Sequence, residues 1–172
     1  MSDKQIAKDK FEEAMEDFVS HNYGRSIELL SQAIELNPKF SLAFKSRGAA
    51  YLRLDKTQEA IADFSTVVEM VPDNARAYHL RGLAHEKTGD NAKALDDFNK
   101  ALELNPEYGA VYYSRANLHN KMGQTDLATD DIQMVTQLSE VNIESFANEN
   151  NVWRSQHLRL ESMYDDDPVM ER

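Results

Sequence analysis

The chain has 172 residues, 41 % of them hydrophobic, and a formal net charge of −11. That is enough apolar material for one packed domain, whereas so acidic a balance lacks the basic footprint phosphate recognition needs and argues against nucleic acid as a partner. The absence of cysteine removes disulfides, thiolate metal sites and cysteine nucleophiles, and suits a reducing compartment. The first residues, MSDKQIAKDKFEEAMEDF, are charged where a signal peptide needs an apolar run, and no 18-residue apolar segment occurs for membrane insertion. The expected location is the cytoplasm.

Taken in order, the chain repeats itself. Residues 7 to about 40 are the least regular copy: Ala14, Ser26, Leu30, Ala33 and Pro38 fit a pattern that the later copies state more clearly, and Lys10 and Asp17 depart from it. The spacing predicts a first helix from about Ala7 to Ser20, with Phe11, Ala14, Met15 and Phe18 on one stripe, and a turn at His21-Asn22 in which asparagine takes the left-handed conformation. Residues 41–74 carry Phe44, Gly48, Tyr51, Ala60, Phe64, Val67 and Pro72. Residues 75–108 carry Tyr78, Gly82, His85, Gly89, Ala94, Phe98, Ala101 and Pro106 in the same order. Large, small and turn-forming residues alternating at helical steps read as helix, turn, helix, with Gly82 placed for close helix contact and Gly89 where the chain reverses. Residues 109–140 keep Tyr112, Ala116, His119, Gly123, Ala128, Ile132 and Val135, but Glu140 replaces the closing proline, so the register is free to change after Leu138. From Val141 to Tyr164 a new apolar spacing (Ile143, Phe146, Ala147, then Trp153, His157, Leu160, Tyr164) predicts one or two capping helices, with a break near Asn148 to Asn151. The acidic tail, residues 165–172, has no periodicity and is expected to be flexible.

Pro38, Pro72 and Pro106 lie 34 residues apart, and the registered copies resemble the tetratricopeptide repeat family. The resemblance implies an all-α superhelix, a solenoid of four helical hairpins plus the capping segment, whose first helices line a concave groove that receives a peptide or helix of another protein. The family's leucine is replaced by Arg47, Arg81 and Arg115, and sixteen residues later come Asp63, Asp97 and Asp131. The first copy has Glu13 and Leu29 at those places, so the arginine and the aspartate are absent together. This predicts an ion pair between the two helices of each hairpin; the alternative is three arginines facing a ligand.

Charge is divided between the helix sets of the last three copies. First helices carry Lys45, Arg47, Arg53, Arg76, Arg81, Lys87, Arg115 and Lys121 against Glu86, and second helices are correspondingly acidic, which leaves +4 and −4 once the three ion pairs are set aside. Either the groove is locally basic and its ligand acidic, or the two helix sets attract each other. Groove-facing steps implied by the resemblance include Lys45, Ala49 and Arg53; Arg76, His79, Leu80, Leu83 and Lys87; and Tyr113, Asn117 and Lys121. In this reading Tyr113, Leu80 and Leu83 supply apolar pockets, Asn117 bonds peptide backbone, and Lys45, Arg53, Lys87 and Lys121 supply charge. The family's clamp for chaperone C-terminal carboxylates is disfavoured, because only Lys45 of its required residues is present.

His85 and His119 share one repeat position and read as packing residues rather than metal ligands. The adjacent acids Glu12-Glu13, Asp96-Asp97 and Asp130-Asp131 diverge on a helix and are poorly placed for paired acid-base work. No phosphate loop, nucleophile elbow or zinc-protease helix occurs, so no cofactor and no catalysis are expected. The alternative to a peptide-binding adaptor is a self-associating scaffold, a homo-oligomer formed through the C-terminal helix or the first repeat. A third reading has the C-terminal segment fold back into the groove of its own chain.

Overall fold

The structure is a computed structural model that describes residues 2–149, with side chains described to Glu140. Among the described residues there are eight helices and no strand: α1 Asp3–Val19, α2 Tyr23–Leu36, α3 Ser41–Arg53, α4 Thr57–Met70, α5 Ala75–Lys87, α6 Asn91–Leu104, α7 Gly109–Lys121 and α8 Thr125–Glu149. Each helix packs on the next, so the order is four hairpins stacked in sequence. The odd-numbered helices also touch their counterparts one hairpin on (α1 with α3, α3 with α5, α5 with α7), whereas among the described residues the even-numbered helices make no such contact. The odd helices therefore lie on the inner side of the curve. This all-α solenoid is the architecture expected from the repeats.

The reversals within hairpins follow one geometry. His21, Asp55, Gly89 and Gly123, each 34 residues from the last, have positive φ, and the next residue donates its amide back to the carbonyl of Asp17, Tyr51, His85 or His119 at 2.8–3.0 Å. That closure is a Schellman-type helix end. In the first hairpin it is His21, with φ of 64°, that adopts the left-handed conformation, while Asn22 has φ of −82° and caps α2. The expectation for asparagine is thus corrected: the position fixed by the repeat, one residue earlier, decides which residue is strained.

Between hairpins, α2, α4 and α6 stop two residues before Pro38, Pro72 and Pro106. With Glu140 in the fourth place, α8 continues without interruption to Glu149, so no break separates the fourth repeat from the segment starting at Val141. Residues 150–172, including the rest of the expected cap and the tail, lie outside the described residues.

Packing inside the hairpins depends on matched sizes. A Cβ on Gly48 would come within 2.7 Å of Phe64 Cε1, and one on Gly82 within 2.6 Å of Phe98 Cε1; both rings are fully buried. Where the first-helix residue is alanine, the residue at the same offset is aliphatic: Ala14 with Leu30 in one core cluster, and Ala116 with Ile132, which is 40 % exposed. Glycine makes room for a phenyl ring, and alanine for a smaller side chain.

Candidate functional site

The arginine column belongs to the frame. Arg47 donates from Nε and Nη2 to Asp63 at 2.9 and 2.8 Å, Arg81 to Asp97 at 2.9 and 2.7 Å, and Arg115 to Asp131 at 2.9 and 2.6 Å. The third nitrogen reaches back to the preceding hairpin, to Ser31 Oγ at 3.0 Å, Ser65 Oγ at 3.4 Å and Asn99 Oδ1 at 2.6 Å. Each guanidinium also lies about 5.5 Å from the ring three residues earlier, Phe44, Tyr78 or Tyr112. Hydrogen bonding to the aspartate raises each arginine's pKa further. These residues join helix to helix and hairpin to hairpin. In the first hairpin the polarity is reversed: Arg25 on α2 binds Glu13 and Asp17 on α1 at 2.9 and 3.2 Å.

The concave side holds a cavity of about 540 Å³ between α1, α3 and α5. It brings together seven of the sequence candidates: Lys45, Ala49, Arg53, Arg76, Leu80, Leu83 and Lys87. Met15 and Phe18 from α1, with Ser46 and Leu52 from α3, complete the lining. Side chains of Met15, Phe18, Leu52, Leu80 and Leu83 form an apolar floor, and no carboxylate is among the lining residues. Lys45, Arg53 and Arg76 have no salt-bridge partner among the described residues, in a molecule whose other described arginines are all paired. Partial burial, and then repulsion from Arg76, lowers the pKa of Lys45. Positive charge is therefore concentrated here without internal compensation, and what it can do chemically is attract an anion while the floor receives an apolar side chain.

Four candidates lie elsewhere. His79 is turned inward, 8 % exposed, with its ring 5.2 Å from Tyr108 and 5.9 Å from Phe98 and Nε2 2.9 Å from Ser114 Oγ. Because Ser114 Oγ donates to the Ala110 carbonyl at 2.9 Å, it accepts from His79 Nε2–H. The pair joins two helices; it does not activate a nucleophile. Burial, and then Arg76, lowers the pKa of His79 to about 4, so the ring is neutral. Tyr113 is 56 % exposed and Asn117 is exposed, both on α7 beyond the cavity. Lys121 is paired with Glu86 of the preceding hairpin.

Lys87 lines the cavity but is likewise paired, with Asp55. These two lysines form a ladder along the helix ends. Arg53 occupies the same column one hairpin earlier, and there the positions equivalent to Glu86 and Asp55 hold Phe18 and His21. This explains why Arg53 is left without a carboxylate. His85 Nε2 is 3.9 Å from Asp97 Oδ2, and His119 Nδ1 is 2.7 Å from Gln124 Oε1; among the described residues no group of His, Asp and Glu is arranged to hold a metal ion.

Missed by sequence reasoning were Met15, Phe18 and Leu52 in the floor. The available signal was the apolar stripe Phe11, Met15, Phe18, longer than one hairpin interface needs. His79 had a signal too: the position 29 residues later is aromatic for Phe11 (Phe40, rings 5.0 Å apart) and for His79 (Tyr108), but is Asn74 for Lys45, which stays in the cavity.

Solved structures with a similar course of chain include MamA, with a TM-score of 0.76 at 20 % identity over 80 % of this chain and 81 % of that one. MamA residues 41 to the end from Desulfovibrio magneticus RS-1 give a TM-score of 0.74 at 21 % identity, covering 78 % and 76 %. The first TPR of Spaghetti (RPAP3), solved bound to the HSP90 peptide SRMEEVD, gives 0.68 at 23 % identity, covering 71 % and 97 %. At these identities the likeness is one of fold. No curated protein sequence matches the chain. Family models of the tetratricopeptide repeat match residues 11–75, 46–109 and 98–130, which is more than half of the chain. The chain belongs to the tetratricopeptide repeat family.

Proposed function

We propose that the protein is a non-catalytic adaptor that binds an acidic peptide or helix of another protein in the α1/α3/α5 cavity. The observation that carries this reading is the cluster of Lys45, Arg53 and Arg76 around an apolar floor, without internal carboxylate partners, in a chain of net charge −11. An isolated like-charge cluster of this kind costs stability and is compensated when an anion arrives. Support for a peptide in such a fold comes from the Spaghetti domain, whose bound peptide is SRMEEVD. The frame and the site separate cleanly enough to test. Fluorescence anisotropy with short acidic-apolar peptides should show salt-sensitive binding to the wild type. A Lys45→Glu, Arg53→Glu, Arg76→Glu variant with an unchanged melt should bind at least about tenfold more weakly, the equivalent of about 1.4 kcal/mol. Equal binding by both proteins would refute the site.

Self-association is the second reading, favoured by exposed apolar side chains at the two ends of the solenoid. Phe11, Met15 and Val19 line a depression on α1, with Val19 72 % exposed. At the other end, Ile132, 40 % exposed, lies in a depression on α8 otherwise lined mainly by the polar residues Asn120, Thr129, Gln133, Thr136 and Gln137. Contact between unlike ends would stack copies head to tail. Sedimentation velocity over a hundredfold concentration range tests it, and a constant monomeric mass would end it.

A further inference from the structure

The arrangement of charge along the cavity specifies more than an acidic ligand. Lys45 and Arg76 stand toward the start of α3 and α5, and Arg53 and Lys87 at their ends. On helices rising 1.5 Å per residue, these rims are about 12 Å apart along α3 and about 16 Å along α5. Between them lies the floor of Leu52, Leu80, Leu83, Met15 and Phe18. The complement is an extended segment with acids at both ends and large apolar side chains between. At about 3.3 Å per residue, the acids must be about four or five residues apart.

One such segment is in the chain itself. Residues 161–171 read ESMYDDDPVME, in which Glu161 and Asp166 flank Met163-Tyr164, and Asp166 and Glu171 flank Val169-Met170, each pair of acids five residues apart. Both halves have the required order and spacing. Reach is sufficient: residues 150–160 span up to about 36 Å when extended. The path from the end of α8 to α5 crosses two or three helix spacings of 8–10 Å, with an offset of about 16 Å for the extra turns of α8, or about 30 Å in all.

We propose that residues 166–171 occupy the α1/α3/α5 cavity of their own chain, with Asp166 at one charged rim, Glu171 at the other and Val169-Met170 on the floor. This rests on the cavity's being a ligand site, and it makes the tail a competitor that an external ligand must displace.

The chain lacks cysteine, so a nitroxide can be placed uniquely at Val169→Cys in the full-length protein and its effect read on backbone amides. The expected result is paramagnetic broadening at Ala49 and Leu83 but not at Ala128 or Ile132, abolished by Asp165→Asn, Asp166→Asn, Asp167→Asn or by Lys45→Glu, Arg76→Glu. No broadening at Ala49 and Leu83, or broadening centred on Ala128 and Ile132, overturns the proposal. So does broadening that arises only between chains, seen when the nitroxide is on a copy without the isotope label. A synthetic peptide of residues 161–171, titrated into the full-length triple-asparagine protein, separates the two ideas. Binding about tenfold or more tighter than to the wild type supports displacement, since an attached tail competes at high effective concentration. Equal binding to both proteins keeps the cavity as a ligand site but overturns the tail as its occupant. No binding to either overturns both.

Discussion

Gly82→Ala adds one methyl group at the tightest contact in the third hairpin. Its Cβ would lie 2.6 Å from Phe98 Cε1, 2.8 Å from Cδ1 and 3.3 Å from the Ala94 carbonyl oxygen. Comfortable carbon contacts begin at about 3.5 Å, so the ring has to retreat by about 1 Å, and Phe98 is fully buried. Overpacking of this kind costs about 1–3 kcal/mol, partly offset by the roughly 1 kcal/mol by which alanine is the better helix former. A net loss of up to about 2 kcal/mol is expected, or a fall of up to about 8 °C in melting temperature for a chain of this length. Phe98→Ile alone should also destabilise, by about 1–2 kcal/mol, because it leaves space beside a glycine. Combined, the two substitutions recreate the Ala116 and Ile132 pairing of the fourth hairpin, and the double variant should recover much of the loss. Urea unfolding of all four proteins gives the coupling. Additivity within about 0.5 kcal/mol would refute the size-matching argument. Gly24→Ala, where nothing lies within 4 Å of the new Cβ, is the control and should be neutral or stabilising.

Ser26 Oγ is buried without a hydrogen-bond partner where the later hairpins have Ala60, Ala94 and Ala128; Ser26→Ala should stabilise by about 1 kcal/mol in urea unfolding, and a loss of stability would show that the hydroxyl is satisfied. Arg81→Met should cost about 2–4 kcal/mol by leaving Asp97, 5 % exposed, without its partner, and adding Asp97→Leu, the counterpart of Leu29 in the first hairpin, should restore most of it; no coupling between the two would remove the ion pair from the account. His79 has a folded-state pKa of about 4, below the unfolded value of about 6.5, so the unfolded chain binds the extra proton between these values and stability falls as pH drops through that window. The loss from pH 7.5 to 5 should be about 2 kcal/mol larger for the wild type than for His79→Asn, and parallel pH profiles would exclude His79 as the cause.

Much of the fold was legible because repetition multiplies weak signals. A single mid-helix glycine says little; Gly48 and Gly82 at the same step of successive copies mark a close helix contact, and the structure adds that Phe64 and Phe98 are what fill it. The joint absence of arginine and aspartate from the first copy likewise predicted the pairs Arg47–Asp63, Arg81–Asp97 and Arg115–Asp131, and the structure contains all three. What sequence could not supply was the third nitrogen's reach to Ser31, Ser65 and Asn99, because contact between hairpins depends on the angle at which they stack. The length of α8 was hidden for a similar reason: without proline at position 140, nothing local marks an end. Candidate site residues were harder still. His79 and Lys45 occupy equivalent steps, yet Tyr108 and Ser114 enclose the histidine while the lysine remains in the cavity; a groove position read from one helix omits the neighbour that covers it.

The same comparison suggests how frame and site can be told apart in this chain. A residue that serves the frame must find its partner in every hairpin, so its column and the partner column change together: arginine with aspartate, glycine with phenylalanine, alanine with leucine or isoleucine. The residues of the proposed site stand where that agreement fails. Arg53 continues a basic column that Lys87 and Lys121 use for pairing, but Phe18 and His21 stand in place of the carboxylates. Arg76 replaces Leu42 and Ala110, and Lys45 replaces Phe11, His79 and Tyr113, with no compensating acid in either case. All three departures converge on one cavity. Lys45 is partly desolvated there while Arg53 and Arg76 are exposed, so the three form an unpaired basic rim around an apolar floor, which an anion arriving from outside the frame would complement.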